Sequence, residues 1–110
     1  MYVYGIYIKC NRVGDQKVVL KFAPWGNSPD FDWDDNNESE IWAHRIRDFE
    51  VEQCFENNPD VVPHKKARTE PEKYSDRFVV KGKTSGGRKL VVIVQHLGAS
   101  FVRPITAWDA

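Results

Sequence analysis

Basic side chains gather in the second half of the chain, and their chemistry suits phosphate. Guanidinium groups match phosphate oxygens, and Arg or Lys can stabilise the charge that develops on a phosphodiester during cleavage. Two of them, Arg77 and Arg103, begin or interrupt apolar runs, where a charge is costly unless it is paired or functional. We interpret both as candidates for a phosphate clamp. The structural alternative is a salt bridge to Asp76, Glu50 or Glu52.

Histidine and cysteine residues give a weak set of metal ligands. His44, His64 and His96 have no close ligand spacing, and Cys10 and Cys54 lie far apart without a C-x-x-C pattern. The sequence also lacks a G-x-S-x-G motif, a P-loop and an H-E-x-x-H motif. We therefore expect no metal and no cofactor, and two free thiols.

The net charge of the chain is zero, but the charge is unevenly distributed. Residues 1–29 carry a net charge of +3, residues 30–60 of −9 and residues 61–110 of +6. A basic C-terminal face whose charge is offset by an acidic middle would give this pattern. Acidic helices that pair with the rim of a basic sheet would give it equally, and the sequence leaves both interpretations open.

Three runs rich in Val, Ile and Phe between Asp76 and Trp108 must position most of these cations. They read DRFVVKGK, KLVVIVQH and FVRPITAW, separated by Gly- and Ser-containing segments, and predict an antiparallel three-stranded meander. The middle run is apolar throughout Leu90–Val94, so we expect a central strand covered on both faces. Pro104 cannot donate to a strand ladder, so the last strand should be an edge or carry a bulge.

The remaining pattern predicts strands and helices in separate blocks, so the fold class is α+β, with a two-helix pair on one face of a mostly antiparallel sheet. At 110 residues we expect one domain. The Gly14-Asp15 pair predicts a hairpin turn within 11–16. The other expected elements are strands at 2–10 and 17–23, a short strand at 31–33, a helix at 36–46 preceded by cap candidates from Asp34 onward, a second helix at 49–56 capped by Asp48, a strand at 61–62 and a mobile loop at 64–74.

From Phe31 onward the chain resembles BrnT-type toxins, the ribonuclease partners of bacterial type II toxin–antitoxin pairs. About 80 of the 110 residues take part, in the order and spacing of that family. The resemblance implies a RelE-like fold with a curled sheet, so that 30–110 would be a BrnT-like core and 1–29 an N-terminal β-hairpin extension. The matching segments are FDWDD (31–35), AHRI (43–46), FEVEQCFEN (49–57), DRFVVKGKTSGGRKLVVIV (76–94) and VRPITAWD (102–109).

The resemblance also implies functional residues. His44 stands at the His of the family's K-H-G motif, Arg77 at the basic residue that opens the first meander strand, and Arg103 at the first Arg of the R-[IV]-[IV]-[ST]-A-R motif. Arg45 stands at the Gly of K-H-G and can restore a charge, because Ala43 replaces the Lys or Arg before the His. Trp108 replaces the second Arg of the last strand, and the loss of two basic residues weakens the expected nuclease. The assigned catalytic residues are His44, Arg45, Arg77 and Arg103.

Further cations complete the predicted RNA surface. We assign Lys65, Lys66, Arg68 and Lys81 to RNA binding, with a solvated rim as the alternative for Lys81, and we interpret Lys83, Arg88 and Lys89 as a solvated rim. The expected function is metal-independent cleavage of mRNA, by attack of a ribose 2′-OH on the adjacent phosphate. A non-catalytic RNA- or protein-binding relative of the family is the alternative.

Partners and location follow from the same resemblance and from the composition. We expect an RNA substrate and a cognate small DNA-binding antitoxin, and a homodimer through residues 1–29 is a further possibility. No apolar run approaches the roughly 20 residues that a membrane span needs. The first residues, MYVYGIYIKC, lack a basic n-region and a cleavage signature, so we expect a cytoplasmic protein without a membrane partner.

Overall fold

The structure of the protein, a computed structural model, describes residues 6–12, 15–20 and 22–110, with side chains from residue 19 onward except residue 21. Residues 2–5 of the first predicted strand, the turn at Gly14, residue 21 and the Cys10 thiol lie outside this description. The described elements are β1 (Ile6–Arg12), β2 (Asp15–Leu20), β3 (Asp30–Phe31), α1 (Asp35–Ala43), α2 (Asp48–Glu56), β4 (Asp60–Pro63), a 3₁₀ turn (Lys65–Ala67), α3 (Pro71–Tyr74), β5 (Arg77–Lys83), β6 (Lys89–Gly98) and β7 (Phe101–Asp109).

The strands form two sheets, and the larger one is built around the predicted meander. Strands β5, β6 and β7 pair antiparallel in sequence order, as the alternating apolar runs predict. The full order is β3-β7-β6-β5-β4, and β3 is parallel to β7, so this five-stranded sheet is mixed and open. The β1–β2 hairpin is a separate antiparallel pair whose second strand lies against β4. With its helices, the described chain is an α+β fold.

The hydrophobic core lies between α1 and α2 and one face of the large sheet. Every second residue of β6, namely Leu90, Val92 and Val94, is completely buried against Ile41 and Val51 of the two helices. Val91 and Ile93, which alternate with them, are only partly buried. The expectation that the middle strand is covered on both faces is therefore wrong, because both helices pack on the same side of the sheet.

Pro104 sits at a β-bulge, which confirms the expected irregularity in the last strand. Val94 pairs with Pro104 but Ile93 pairs with Thr106, so Ile105 is the extra residue. The Pro104 carbonyl accepts a hydrogen bond from the Nδ2 atom of Asn37 at 2.9 Å. This bond attaches the first turn of α1 to the sheet at the position where the strand ladder is interrupted.

Asp34 caps α1, within the predicted run of cap candidates. Its carboxylate accepts from the Asn37 N–H at 3.0 Å, and the Asn37 Oδ1 atom accepts from the Asp34 N–H at 2.8 Å. These reciprocal bonds form a capping box. The Asn37 N–H and, more weakly, Arg103 lower the pKa of Asp34.

Several predicted boundaries need correction. Helix α1 ends at Ala43 instead of Ile46, and α2 begins at Asp48 with Arg47 as its N-cap residue, whose N–H donates to Glu50. The short strand before α1 covers Asp30–Phe31 instead of 31–33, because Asp30 and Phe31 are the residues that pair with β7. Residues 64–74, predicted as a mobile loop, contain the 3₁₀ turn and the short helix α3.

Candidate functional site on the open face of the sheet

The sheet has one face that α1 and α2 leave uncovered, which we call the open face. Residues that pair across antiparallel strands point to the same face of the sheet. The strand register therefore shows which side chains lie on the open face. Its surface mixes cations with partly buried apolar side chains, unlike the largely apolar helix face. From β5, β6 and β7 the open face receives Arg77, Val79, Lys81, Val91, Ile93, Gln95, Arg103, Thr106 and Trp108.

A transverse row of polar side chains crosses one end of this face. Arg77 pairs with Gln95, and Gln95 pairs with Arg103. His64 continues the row on the other side, since its N–H donates to the Arg77 carbonyl at 3.0 Å, directly after the Pro63–Phe78 pair. The structure therefore brings the two arginines of the predicted phosphate clamp into one line, with one residue between them.

The ring of Tyr74 gathers cations beside this row. His64 stacks on it with ring centroids 4.7 Å apart and planes 22° apart. The Nζ atoms of Lys66 and Lys73 each lie 5.4 Å from the ring centroid, and the Arg77 guanidinium lies 6.0 Å from it. We call these five residues the Tyr74 cluster. The electron-rich ring holds three cations close together, where their mutual repulsion favours an anion.

His64 is held neutral within the Tyr74 cluster. Burial, followed by the positive charges of Lys66, Lys65 and Arg77, lowers its pKa. Its Nδ1 atom accepts from the Lys66 N–H at 3.1 Å, so the proton of the neutral ring lies on Nε2. His64 is thus a hydrogen-bond donor through Nε2 and does not serve as a general base through that atom.

Arg77 has hydrogen-bonding capacity to spare. Its Nε atom lies 3.8 Å from the Asp76 carboxylate, too far for a hydrogen bond, and this buried atom has no partner among the described residues. The second oxygen of Asp76 is already bonded to Gln95 at 2.8 Å. The predicted Arg77–Asp76 contact therefore exists, but it is loose and leaves the buried Nε–H of Arg77 unpaired among the described residues.

Arg103, in contrast, is already engaged. Its Nη1 atom donates to Asp32 at 3.0 Å, and its Nη2 atom lies 2.9 Å from a carboxylate oxygen of Asp34. The bond to Asp32 leads the contacts that raise its pKa. The salt bridge expected from the sequence is present with other carboxylates than those proposed. Arg103 joins β7 to the segment between β3 and α1, and a phosphate would have to displace two carboxylates to reach it.

His44 and Arg45 lie apart from the arginine row. Arg103 bonds the N-cap of α1 whereas His44 is the C-cap, and nine helical residues span about 13 Å. The helix ends in a Schellman motif, in which the Arg45 N–H bonds to Trp42 and the Ile46 N–H to Ile41. The structure therefore does not bring the four predicted catalytic residues together.

Arg45 occupies a backbone position that favours glycine. Its φ is 59°, in the left-handed region that costs roughly 1–2 kcal/mol for a residue with a Cβ. We expect the free energy of unfolding of Arg45→Gly to be about 1 kcal/mol higher than that of Arg45→Ala, because glycine adopts this φ without a Cβ penalty. Both variants lose the guanidinium that lies 5.0 Å from the Trp42 ring, so that loss does not contribute to the difference. Urea denaturation of the two variants measures the difference. Equal stability would show that the backbone is not strained at this residue.

The other assigned cations are dispersed. Lys65 is exposed on the 3₁₀ turn next to Lys66, which belongs to the Tyr74 cluster, and exposed Arg68 follows them. Lys81 is exposed on β5, four residues beyond Arg77, or about 13 Å along the strand. The first group can extend an anion site around Arg77, whereas Lys81 belongs to the opposite end of the open face.

Arg88 is a structural tie and not part of a solvated rim, so that expectation is wrong. Its Nε and Nη2 atoms donate to the Asp109 carboxylate at 2.6 and 3.0 Å, which lowers the pKa of Asp109. Its Nη1 atom donates to the Arg45 carbonyl at 2.9 Å and contacts Glu50 at 3.3 Å. One guanidinium thus joins the β5–β6 turn, the connection between α1 and α2, and the end of β7.

Sequence reasoning missed the contributions of His64, Tyr74 and Gln95. The usable signal was strand register: pairing VVPH (61–64) antiparallel with RFVV (77–80) places His64 opposite Arg77. Two cavities of about 470 and 320 Å³ lie elsewhere, around Asn57, Asn58 and Lys83.

In the described part of the chain, no group of three or more His, Cys, Asp or Glu residues could hold a metal. Burial raises the pKa of Cys54 to about 11, so its free thiol is unreactive.

Comparisons with protein-family models, curated proteins and solved structures find no match for this chain. The described part of the chain is an α+β fold, with α1 and α2 on one face of an open mixed sheet and the Tyr74 cluster on the other. No helix within the described residues is long and apolar enough to cross a membrane.

Proposed function

We propose that the chain is a BrnT-like toxin with a RelE-like fold, a ribonuclease that cleaves mRNA without a metal and is neutralised by a small antitoxin in the cytoplasm. The observation that carries the proposal is Arg77, whose guanidinium has spare donors and lies in the Tyr74 cluster on the open face. The arrangement of two helices behind a mostly antiparallel sheet is compatible with this family.

The chemistry that this geometry supports is stabilisation of charge on a phosphodiester. Arg77 would hold the phosphate, Lys66 and Lys73 would add positive charge, and the Nε2–H of His64 would donate to a phosphate oxygen. Fixed donors of this kind act on the charge that develops as the ribose 2′-oxygen bonds to the phosphorus atom and the bond to the 5′-oxygen breaks. The 2′-OH proton leaves to solvent, and the departing 5′-oxygen takes a proton from solvent. His44 and Arg45 would not take part at this phosphate, because they lie at the other end of α1.

A non-catalytic RNA-binding relative is the second candidate, and Arg103 favours it. Two carboxylates occupy the guanidinium that would complete the phosphate clamp. Without Arg103, the cluster around Arg77 has the charge to bind RNA but fewer groups to stabilise the transition state. Binding that falls steeply with salt, in the absence of cleavage, is the result that selects this alternative.

The test is expression of the protein without a partner, combined with an RNA cleavage assay in EDTA. We expect wild-type protein to arrest growth and cut single-stranded RNA, and Arg77→Ala to reduce the cleavage rate by about 10²–10³-fold, as the loss of one charge-stabilising donor does elsewhere. Arg47→Ala is the matched control, because Arg47 is an exposed cation at the start of α2, which packs on the opposite face of the sheet. Normal growth with abundant soluble wild-type protein and intact RNA would refute the nuclease proposal.

The proposed homodimer through residues 1–29 has its own measurement. Light scattering of the purified protein distinguishes a dimer from a monomer, and a monomer would remove the idea. An adjacent reading frame that encodes a small DNA-binding protein would support the antitoxin partner, and a tight complex between the two proteins would establish it.

A further inference from the structure

Trp108 stands at the opposite end of the open face from Arg77. It pairs with Val91, which pairs with Lys81, so the three side chains form a second transverse row. Ala107, its neighbour in β7, is fully buried on the helix face, which places Trp108 on the other side of the strand. Val91 lies four residues before Gln95 in β6, so the Trp108 row and the Arg77 row are about 13 Å apart.

Among the described residues, Trp108 is the tryptophan whose indole has no hydrogen-bonding, stacking or cationic partner. Trp25 is 4% exposed and packs against Phe55 and Phe78. Trp33 donates its indole N–H to Glu52 at 2.8 Å, and Arg47 lies 4.5 Å from the Trp42 ring. Trp108 is 39% exposed, and in the described chain its indole makes no hydrogen bond, ring stacking or cation contact.

The surroundings of Trp108 suit a nucleobase more than an apolar protein segment. Partly buried Val91, Ile93 and Thr106 lead from its ring toward the Arg77 row. The rim at this end is cationic, with exposed Lys81, Lys83 and Lys89. A flat aromatic ring beside positive charge is the combination with which proteins bind single-stranded nucleic acid, because bases stack on the ring while cations follow the backbone.

We propose that Trp108 is a base-stacking site for single-stranded RNA, and that an RNA strand runs along the open face from the Arg77 row to Trp108. Lys81 and Lys89 flank the stacked nucleotide and contact its phosphates. The inference rests on the proposed function in one respect only, that the ligand of the open face is RNA. It assigns a binding role to the residue that replaces an arginine in the resemblance to BrnT.

The experiment measures the dissociation constant of a short single-stranded RNA over a series of salt concentrations. Trp108→Ala should weaken binding by about 5- to 100-fold and leave the salt dependence unchanged, because stacking displaces no counterions. Arg77→Ala should instead reduce the slope of log K against log salt by about 1. Trp108→Phe should retain part of the affinity.

Two controls separate stacking from damage to the fold. Trp108→Leu keeps an apolar side chain on the strand but removes the aromatic ring, so it should lose affinity as Trp108→Ala does. An abasic oligonucleotide of equal length should bind wild-type protein and Trp108→Ala equally. If Trp108→Leu binds RNA like wild type while Arg77→Ala is impaired, the stacking site is wrong and the proposed function stands. If wild-type protein binds no RNA, both proposals fail.

Discussion

Asn37→Asp should lower the free energy of unfolding by at least about 3 kcal/mol at pH 7. Asn37 is 3% exposed, and its Nδ2 atom donates to the Asp32 carbonyl at 2.8 Å and to the Pro104 carbonyl at 2.9 Å. The substitution replaces this donor with a carboxylate oxygen that faces two carbonyl oxygens. Both acceptors lose their partner, and the buried negative charge keeps only the hydrogen bond from the Asp34 N–H.

The pH dependence of this variant has a defined sign. Burial and the facing carbonyls disfavour the charged form, so the pKa of the introduced carboxyl group is higher in the folded than in the unfolded state. The destabilisation is therefore complete above the folded pKa and shrinks as the pH falls toward the unfolded value of about 3.9. Urea denaturation of variant and wild type at pH 7 and pH 4 measures both stability differences.

Asn36→Asp is the matched control. Asn36 is the exposed neighbour of Asn37 in the first turn of α1, where a carboxylate interacts favourably with the helix dipole. We expect its stability to equal or slightly exceed that of wild type at pH 7. Equal losses in the two variants would show that charge in this acidic region, and not the bonds of Asn37, sets the stability.

Gly82→Ala should lower the free energy of unfolding by about 2–3 kcal/mol. A Cβ atom at this position would lie 2.9 Å from the Cys54 carbonyl oxygen and 3.2 Å from the Cβ atoms of Cys54 and Pro59. The nearest atom belongs to the backbone of α2, so no rotation of a side chain relieves the contact. The whole helix must move away from β5, with loss of core packing around Val51 and Val80.

Gly86→Ala, in the turn that follows β5, separates steric overlap from the general effect of removing a glycine. Its added Cβ would meet only the Thr84 hydroxyl, at 3.8 Å, and it does not have a positive φ. We expect this variant to be unchanged or stabilised by up to about 1 kcal/mol. Thermal unfolding of both variants provides the comparison, and a Gly82→Ala protein as stable as Gly86→Ala would mean that α2 adjusts without cost.

The parts of the fold that were predictable depend on short-range patterns. The alternation of Phe78 and Val80 with Arg77 and Val79 predicted the strand and its buried side, and Pro104 predicted the irregularity in β7. Helix α1 followed from the cap residues near Asp34. Each inference concerns residues within one element or two adjacent ones, where backbone periodicity and capping determine the outcome.

Long-range placement was not predictable from the same patterns. An apolar run such as Leu90–Val94 looks the same whether one or both faces are covered, so the open face could not be inferred. The partners of Arg103 come from a segment 71 residues away, and nothing local to either strand specifies that pairing. His64 entered the candidate site only through the register of β4 against β5.

The segments that resemble the BrnT family contact one another. FDWDD supplies Asp32 and Asp34 to Arg103 in VRPITAWD. The second-helix segment supplies Cys54, against which Gly82 of the β5 segment packs. Packing and helix capping require these residues. Their occurrence together in one sequence is therefore an argument about the fold before it is an argument about activity. The proposed activity would depend on fewer positions, chiefly Arg77 and its neighbours.

The pairing of β3 with β7 has a consequence for folding during translation. Strand β3 and the cap of α1 depend on Val102, Arg103 and Pro104, which are synthesised after them. At typical translation rates of about 5–20 residues per second, Asp32 waits roughly 4–14 s for Arg103. A nine-residue helix is unstable alone, so the apolar side of α1 stays exposed on the nascent chain for that time. Strand β3 and α1 therefore reach their native contacts only after β7 has been synthesised.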